Sequence, residues 1–162
     1  MAEVEKPVEK LVKVEQASFK ILNFKVTEVA MKIPPVNTKP NKLEIKFSPS
    51  GEYISAEGLF RLTFSFNASE KENKNGVYFK VISVTNFKFE QPVPLVEIPD
   101  FFYQNAIAIV FPYIRAYVST LTGQSHQDIL ILPLLNLTTL ENPLRENTVE
   151  VETLMNKEQE VG

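Results

Sequence analysis

Few residues in this chain could do chemistry. Ser125, His126 and Asp128 fall within four positions of one another in a GQSHQD turn, and serine, histidine and aspartate are the groups of nucleophilic hydrolysis. Working triads assemble those groups from separate segments, because neighbours on one turn cannot line up nucleophile, base and orienting carboxylate. The turn therefore reads as solvated surface. His126 is the single histidine and there is no cysteine, so zinc would lack its usual nitrogen and sulfur ligands and thiol chemistry is excluded. The five glycines are scattered and form no phosphate-cradling loop. Glu28, Glu52, Glu57, Asp100 and Asp128 are isolated carboxylates. The expectation is a protein that is not an enzyme and takes neither cofactor nor metal.

Charge and length narrow the choice further. A net charge of -3, with no run of Lys and Arg free of interleaved Glu, argues against a nucleic-acid partner, which needs a basic face. The 162 residues, 44% apolar and 23% charged, suit one globular domain with a real core. The opening MAEVEKPVEKLVKVEQ lacks the apolar centre of a signal peptide. The longest uncharged apolar runs, near Ile107–Tyr113 and Ile129–Leu135, are shorter than the ~20 residues of a membrane span. A cytoplasmic protein with no membrane insertion is expected.

The elements that would position any site follow from periodicity. Residues 1–15 are charged and weakly periodic and read as a flexible arm; 16–145 form the domain; 146–162 are acidic and sparsely apolar and read as a disordered tail. Between Ala17 and Ile33 the apolar alternation changes phase near Ile21–Leu22, which implies a bulged strand. KLEIKF, at 42–47, alternates as a strand and SPSGEY reads as a turn. Phe60, Leu62, Phe64 and Phe66 share one face of the strand from Gly58 to Asn67. ASEKENKNG then forms a polar hairpin loop. The strand from Val77 to Phe89 is apolar on both faces: Val77, Phe79, Val81 and Phe87 on one, Tyr78, Ile82 and Val84 on the other. QPVPLVEIP, with three prolines, is a rigid crossover. Ile107, Val110, Phe111, Ile114, Val118 and Leu121 have helical spacing, with Gly123 as the stop and a kink expected at Pro112. After ILILPLL, Asn136 or Thr138 could cap a short helix limited by Pro143.

What remains unexplained is apolar surface. Phe87, Phe89, Val93, Leu95, Val96, Ile98, Phe101 and Phe102 lie on or beside the proline-rich crossover, and Ile129, Ile131, Leu134, Leu135 and Leu137 lie on the later arm. Apolar side chains on irregular segments either plug a core or line a groove.

The residues themselves resemble a known family. Phe111-Pro112-Tyr113-x-Arg115 with Ser119-x-Leu121 is similar to the main helix of the SecB family of bacterial export chaperones. Leu130-x-Leu132-x-x-Leu135-Asn136-Leu137-x-x-Leu140 resembles that family's arm and final helix, and Phe19-x-Ile21 with Pro34 its first strand. The resemblance covers Ala17 to about Arg145. It implies an α+β fold, a four-stranded antiparallel sheet with a long helix and a shorter C-terminal helix packed on one face. It implies a homo-oligomer, a dimer of dimers, with no cofactor. It also implies a holdase that binds unfolded or precursor polypeptides for export, in grooves expected to be lined by Phe87, Phe89, Val93, Leu95, Phe101, Ile129, Ile131, Leu134 and Leu140. Glu28 matches the first of two acids that dock the SecA ATPase, but Lys32 stands at the second, and Pro133 and Pro143 depart from the pattern. Three other readings stay open: a chaperone dedicated to an antitoxin of a toxin–antitoxin system, a carrier of a small apolar ligand, and a structural adaptor that only oligomerises, with the apolar arm buried between subunits.

Overall fold

The computed structural model describes residues 18–33, 43–72, 76, 78–125, 132 and 135–154. Four strands come first, β1 (Phe19–Lys32), β2 (Leu43–Ile54), β3 (Leu59–Glu70) and β4 (Tyr78–Phe89). They are followed by α1 (Asp100–Gln124), α2 (Glu141–Glu146) and a short β5 (Thr148–Glu150), with 3-10 turns at Leu95–Glu97 and Leu137–Leu140. The sheet order is β1-β4-β3-β2-β5. The first four strands pair antiparallel, and β5 joins β2 in parallel. The α+β class, and four antiparallel strands ahead of a long and a short helix, are those expected from the sequence.

Strict alternation makes the two central strands. Phe60, Leu62, Phe64 and Phe66 of β3 and Phe79, Val81, Phe87 and Phe89 of β4 are buried on the side that α1 covers, while their neighbours are half-exposed on the other. The phase change in β1 is a bulge at Leu22, where the pairing with β4 slips between Ile21 and Asn23; a second slip falls between Val26 and Glu28. The first was legible and the second was not.

Several boundaries differ from the sequence reading, each for a packing reason. SPSGEY is not a turn: β2 runs through it, pairing Pro49 with Phe64 and Gly51 with Leu62. Pro49 is tolerated because β2 is the outer strand there; β5 pairs only with Gly51–Tyr53. Gly51 is needed because a Cβ would lie 2.4 Å from the Phe60 ring. The reversal between β2 and β3 falls at Ser55–Gly58, where Gly58 takes a positive φ of 61°. β3 also extends through the ASE of the expected loop, with Ala68 and Glu70 buried.

The helix starts earlier than its clearest periodicity. Pro99 supplies the extended residue before α1, and Asp100 places a negative charge in the first turn, where the helix dipole favours it. Gly123 does not stop the helix; it lies inside α1, which closes after Gln124 with Ser125 N–H donating to the Thr122 carbonyl at 3.2 Å. Pro112 sits within α1 on an exposed position. At 25 residues, with an 18-residue stretch of mean hydropathy 1.3, α1 is long and apolar enough to cross a bilayer by length and composition, which the uninterrupted apolar runs do not reveal. Its apolarity is put to use against the sheet by nine buried residues, among them Phe102, Ala106, Val110, Ile114 and Val118.

Part of the expected tail is a strand. Gly51 N–H donates to the Asn147 carbonyl at 3.1 Å and Val151 N–H to the Tyr53 carbonyl at 2.9 Å, while Thr148 Oγ1 donates to the Leu144 carbonyl at 2.6 Å. These anchors order 148–150 despite their acidic composition. Residues 1–17 and 155–162 lie outside the described residues.

The core centres on Phe102. Its ring lies 4.9 Å from Phe19, 4.8 Å from Phe60, 5.7 Å from Phe87 and 4.8 Å from Phe89. Replacing Phe102→Ala should cost ~3–5 kcal/mol of unfolding free energy, measured by urea titration. In the same layer Thr85 is fully buried and its hydroxyl has no hydrogen-bond partner. Since an unmet buried hydroxyl is costly and valine has the same shape, Thr85→Val should raise stability by ~1 kcal/mol; a loss of stability would show that the hydroxyl is satisfied.

Candidate client-binding surface

The crossover from β4 to α1 is held down at one point and open beside it. Tyr53, fully buried on β2, donates its phenol O–H to the Val93 carbonyl at 2.6 Å, and Val93 N–H reaches back to the same oxygen at 3.4 Å. The 3-10 turn Leu95–Glu97 follows, closed by Glu97 N–H to the Pro94 carbonyl at 2.9 Å. This geometry turns Ile98 into the core and Val96 outward, so that Val96 is 91% exposed. One turn later Phe101 points away from the sheet and is 50% exposed, while Phe102 points into it.

Between crossover, α1 and α2 lies a cavity of about 300 Å³, lined by Leu95, Val96, Ile98, Asp100, Tyr103 and Arg145. Arg145 is its polar wall. The guanidinium binds Asp100 at 2.8 Å and Glu141 at 2.9 Å, and stands 5.1 Å above the Tyr103 ring. It thereby ties α2 to the first turn of α1. The arm enters the same region: Leu132 is fully buried, and Leu135, Leu137 and Leu140 are half-buried against the core. Asn136 caps the second 3-10 turn by accepting from Thr138 N–H at 3.2 Å, as expected of it.

The expected groove residues separate into three groups. Phe87 and Phe89 are not groove wall: with 0% and 4% exposure they lie under Phe102, because β4 turns them to the inner face. Val93, Leu95, Phe101 and Leu140 keep partial exposure around the crossover and the arm. Ile129, Ile131 and Leu134 lie outside the described residues, as do His126 and Asp128. The sequence reading did not include Tyr103, Asp100 or Arg145 in the site. The Glu141–Arg145 spacing of four, which places both on one helix face, was the signal available. Glu28 lies on the opposite face of the sheet, 2.8 Å from the Lys80 ammonium. That bond raises the lysine's pKa. Among the described residues no group of three or more His, Cys, Asp or Glu could hold a metal.

No family model matches the chain. It is similar to the uncharacterized protein MJ0357 of Methanocaldococcus jannaschii, 28% identical over 147 residues that cover 85% of this chain and 94% of that one. Its fold is SecB-like. The Rv1957 SecB-like chaperone of Mycobacterium tuberculosis, solved in complex with a ChAD peptide from the Rv1956 HigA1 antitoxin, matches with a TM-score of 0.60 and 17% identity, over 74% of this chain and 91% of that one.

The two phenols at the site give a pH prediction. Burial raises the pKa of Tyr53, against the opposing hydrogen bond to Val93 and with help from Glu150; burial likewise raises that of Tyr103, against the nearby Arg145. A pKa raised in the folded state contributes stability that is complete below the unfolded value of 10.0 and is lost as pH climbs through the folded values. Thermal stability should therefore fall above about pH 10. Tyr53→Phe should flatten part of that fall, read from melting curves alongside phenolate absorbance.

Proposed function

We propose that this protein is a cytoplasmic, nucleotide-independent holdase of the SecB type that binds non-native polypeptides along the crossover and the arm. The observation that carries the reading is the outward placement of Val96 and Phe101 beside the cavity at the start of α1, in a SecB-like fold. Large apolar side chains on a proline-rich segment, held open by Tyr53 rather than tucked in, cost solvation and find their compensation in a bound apolar chain. Each such side chain removed from water contributes roughly 1.5–3 kcal/mol. A few of them suffice for loose, sequence-tolerant binding.

A homo-oligomer belongs to the same proposal. Ile21 and Val29 pair opposite Phe87 and Val81 on the helix side of the sheet, yet both remain exposed, as do Ile109 of α1 and Tyr113, whose ring stacks on Phe24 of β1. Further copies of the chain would cover them.

The antitoxin-directed reading has its own support, since the solved SecB-like chaperone holds an antitoxin peptide. It requires one segment to bind far more tightly than unfolded chains in general. General export has less support: the acid in the SecA-docking position, Glu28, is ion-paired with Lys80, and Lys32 stands where the second acid would be.

At an equimolar ratio and without ATP, the protein should suppress aggregation of a refolding client. Val96→Glu combined with Phe101→Glu should weaken suppression several-fold with little change in melting temperature, because both side chains face solvent. A wild-type protein that neither suppresses aggregation nor binds unfolded chains overturns the proposal. Light scattering should give a dimer or tetramer, and a monomer would contradict the oligomer.

A further inference from the structure

Arg145 reaches along one wall of the client cavity to three acceptors, and only one of them lies off its own helix. Its Nη1 donates to the Asn142 side chain at 3.0 Å and its Nη2 to Glu141 at 2.9 Å, both on α2. Nη2 also donates to Asp100 at 2.8 Å, on the first turn of α1. Held out in this way, the guanidinium stands 5.1 Å above the Tyr103 ring, and Tyr103 is only 3% exposed. That ring also meets Phe60 and Phe102, with centroids at 6.2 and 5.6 Å. The single link to Asp100 therefore keeps an aromatic face at the edge of the cavity covered.

Neither helix needs that link to stay in place. α2 is pinned beside Arg145 by other groups: Leu144 is fully buried, and its carbonyl accepts the Thr148 hydroxyl at 2.6 Å. The Asn147 carbonyl accepts Gly51 N–H at 3.1 Å. The first turn of α1 is fixed by Phe102 and its ring of aromatic neighbours. Asp100 is favoured in that turn by the helix dipole, with or without a cation beside it. Its side chain is 83% exposed, and ion pairs in water hold weakly and are screened by salt. Buried contacts set the two helices, and this link is free to break.

We propose that Arg145 is a side-chain gate on the client cavity, closed while it binds Asp100 and open when it retains Glu141 and Asn142 alone. Opening keeps two of the three acceptors and moves neither helix. It uncovers the Tyr103 ring and joins it to Leu95 and Ile98, making a seat for an aromatic side chain of the bound polypeptide. A ring placed there meets Tyr103 edge-on or offset, as aromatic pairs prefer. Size permits it, since an apolar cavity of about 150 Å³ holds a benzene ring and this one measures about 300 Å³. Ionic strength sets the balance, because salt weakens the link to Asp100 and leaves the apolar floor in place. A closed gate lowers apparent affinity by the fraction of molecules that are open, and an exposed pair can bias that fraction by roughly two- to fivefold. The gate rests on the holdase reading and adds the regulation of its site.

The test uses the full chain and a rhodamine-labelled, end-blocked peptide of Phe, Ser and Gly, followed by anisotropy at low salt and at ~0.5 M salt. The peptide has no charged side chain, so salt acts on the protein. Affinity of the wild-type protein should rise with salt by roughly two- to fivefold. Asp100→Asn and Arg145→Gln should each bind more tightly at low salt by about that factor and lose the salt response. Their melting temperatures should stay close to wild type, and combining them should add little. Weaker or unchanged binding by the two variants overturns the gate, and a fall in melting temperature alongside it identifies a structural brace. A salt response that survives in both variants overturns it too. A wild-type protein that binds neither this peptide nor unfolded chains at any salt overturns the holdase reading itself, and the gate with it.

Discussion

Phe102 enters the sheet where four other aromatic rings already meet, and its position is the constraint from which the rest of the molecule follows. Phe19 from β1, Phe60 from β3, and Phe87 and Phe89 from β4 surround it at centroid separations of 4.8–5.7 Å, the range in which edge-on and tilted rings attract. This fixes the first turn of α1 on the sheet. The eight residues between Glu90 and Pro99 must then bridge from the end of β4 to a set point, and the Tyr53–Val93 pair of hydrogen bonds leaves them little freedom. Ile98 and Phe102 go in; Val96 and Phe101 have nowhere to go but out. The open apolar surface is thus a by-product of a tightly specified core.

The other side of the sheet shows the reverse economy. There the strands present charges of both signs, short polar side chains and the half-exposed Tyr78, Ile82 and Val84. One sheet therefore offers two chemically unlike faces: a hydrophobic one that leads to the crossover and arm, and a mixed one on which Lys80 pairs with Glu28 across strands. Separating them by the thickness of a sheet lets one be altered without disturbing the other.

The sheet's inner face was legible because β3 and β4 alternate without exception, and the bulge at Leu22 because the phase of β1 visibly shifts. The boundaries were not. SPSGEY carries the composition of a turn, yet it is strand, since Gly51 makes room for the Phe60 ring and Pro49 lies where no outer strand pairs. β5 was missed because its order comes from backbone bonds to Gly51 and Tyr53 rather than from its own composition. Of the candidate site, exposure of Phe101 was foreseen, but Phe87 and Phe89 were misplaced. Alternation tells which residues share a face and not which face a helix will cover.

The central claim is that non-native chains lie along the crossover and arm on the helix side of the sheet. Hydrogen exchange on the protein saturated with a permanently unfolded client would test it most directly. The account predicts slowed exchange of backbone amides at 93–104 and 135–140, with the centres of β3 and β4 unchanged. No protection in those two segments at saturation, or protection confined to other parts of the chain, would contradict it.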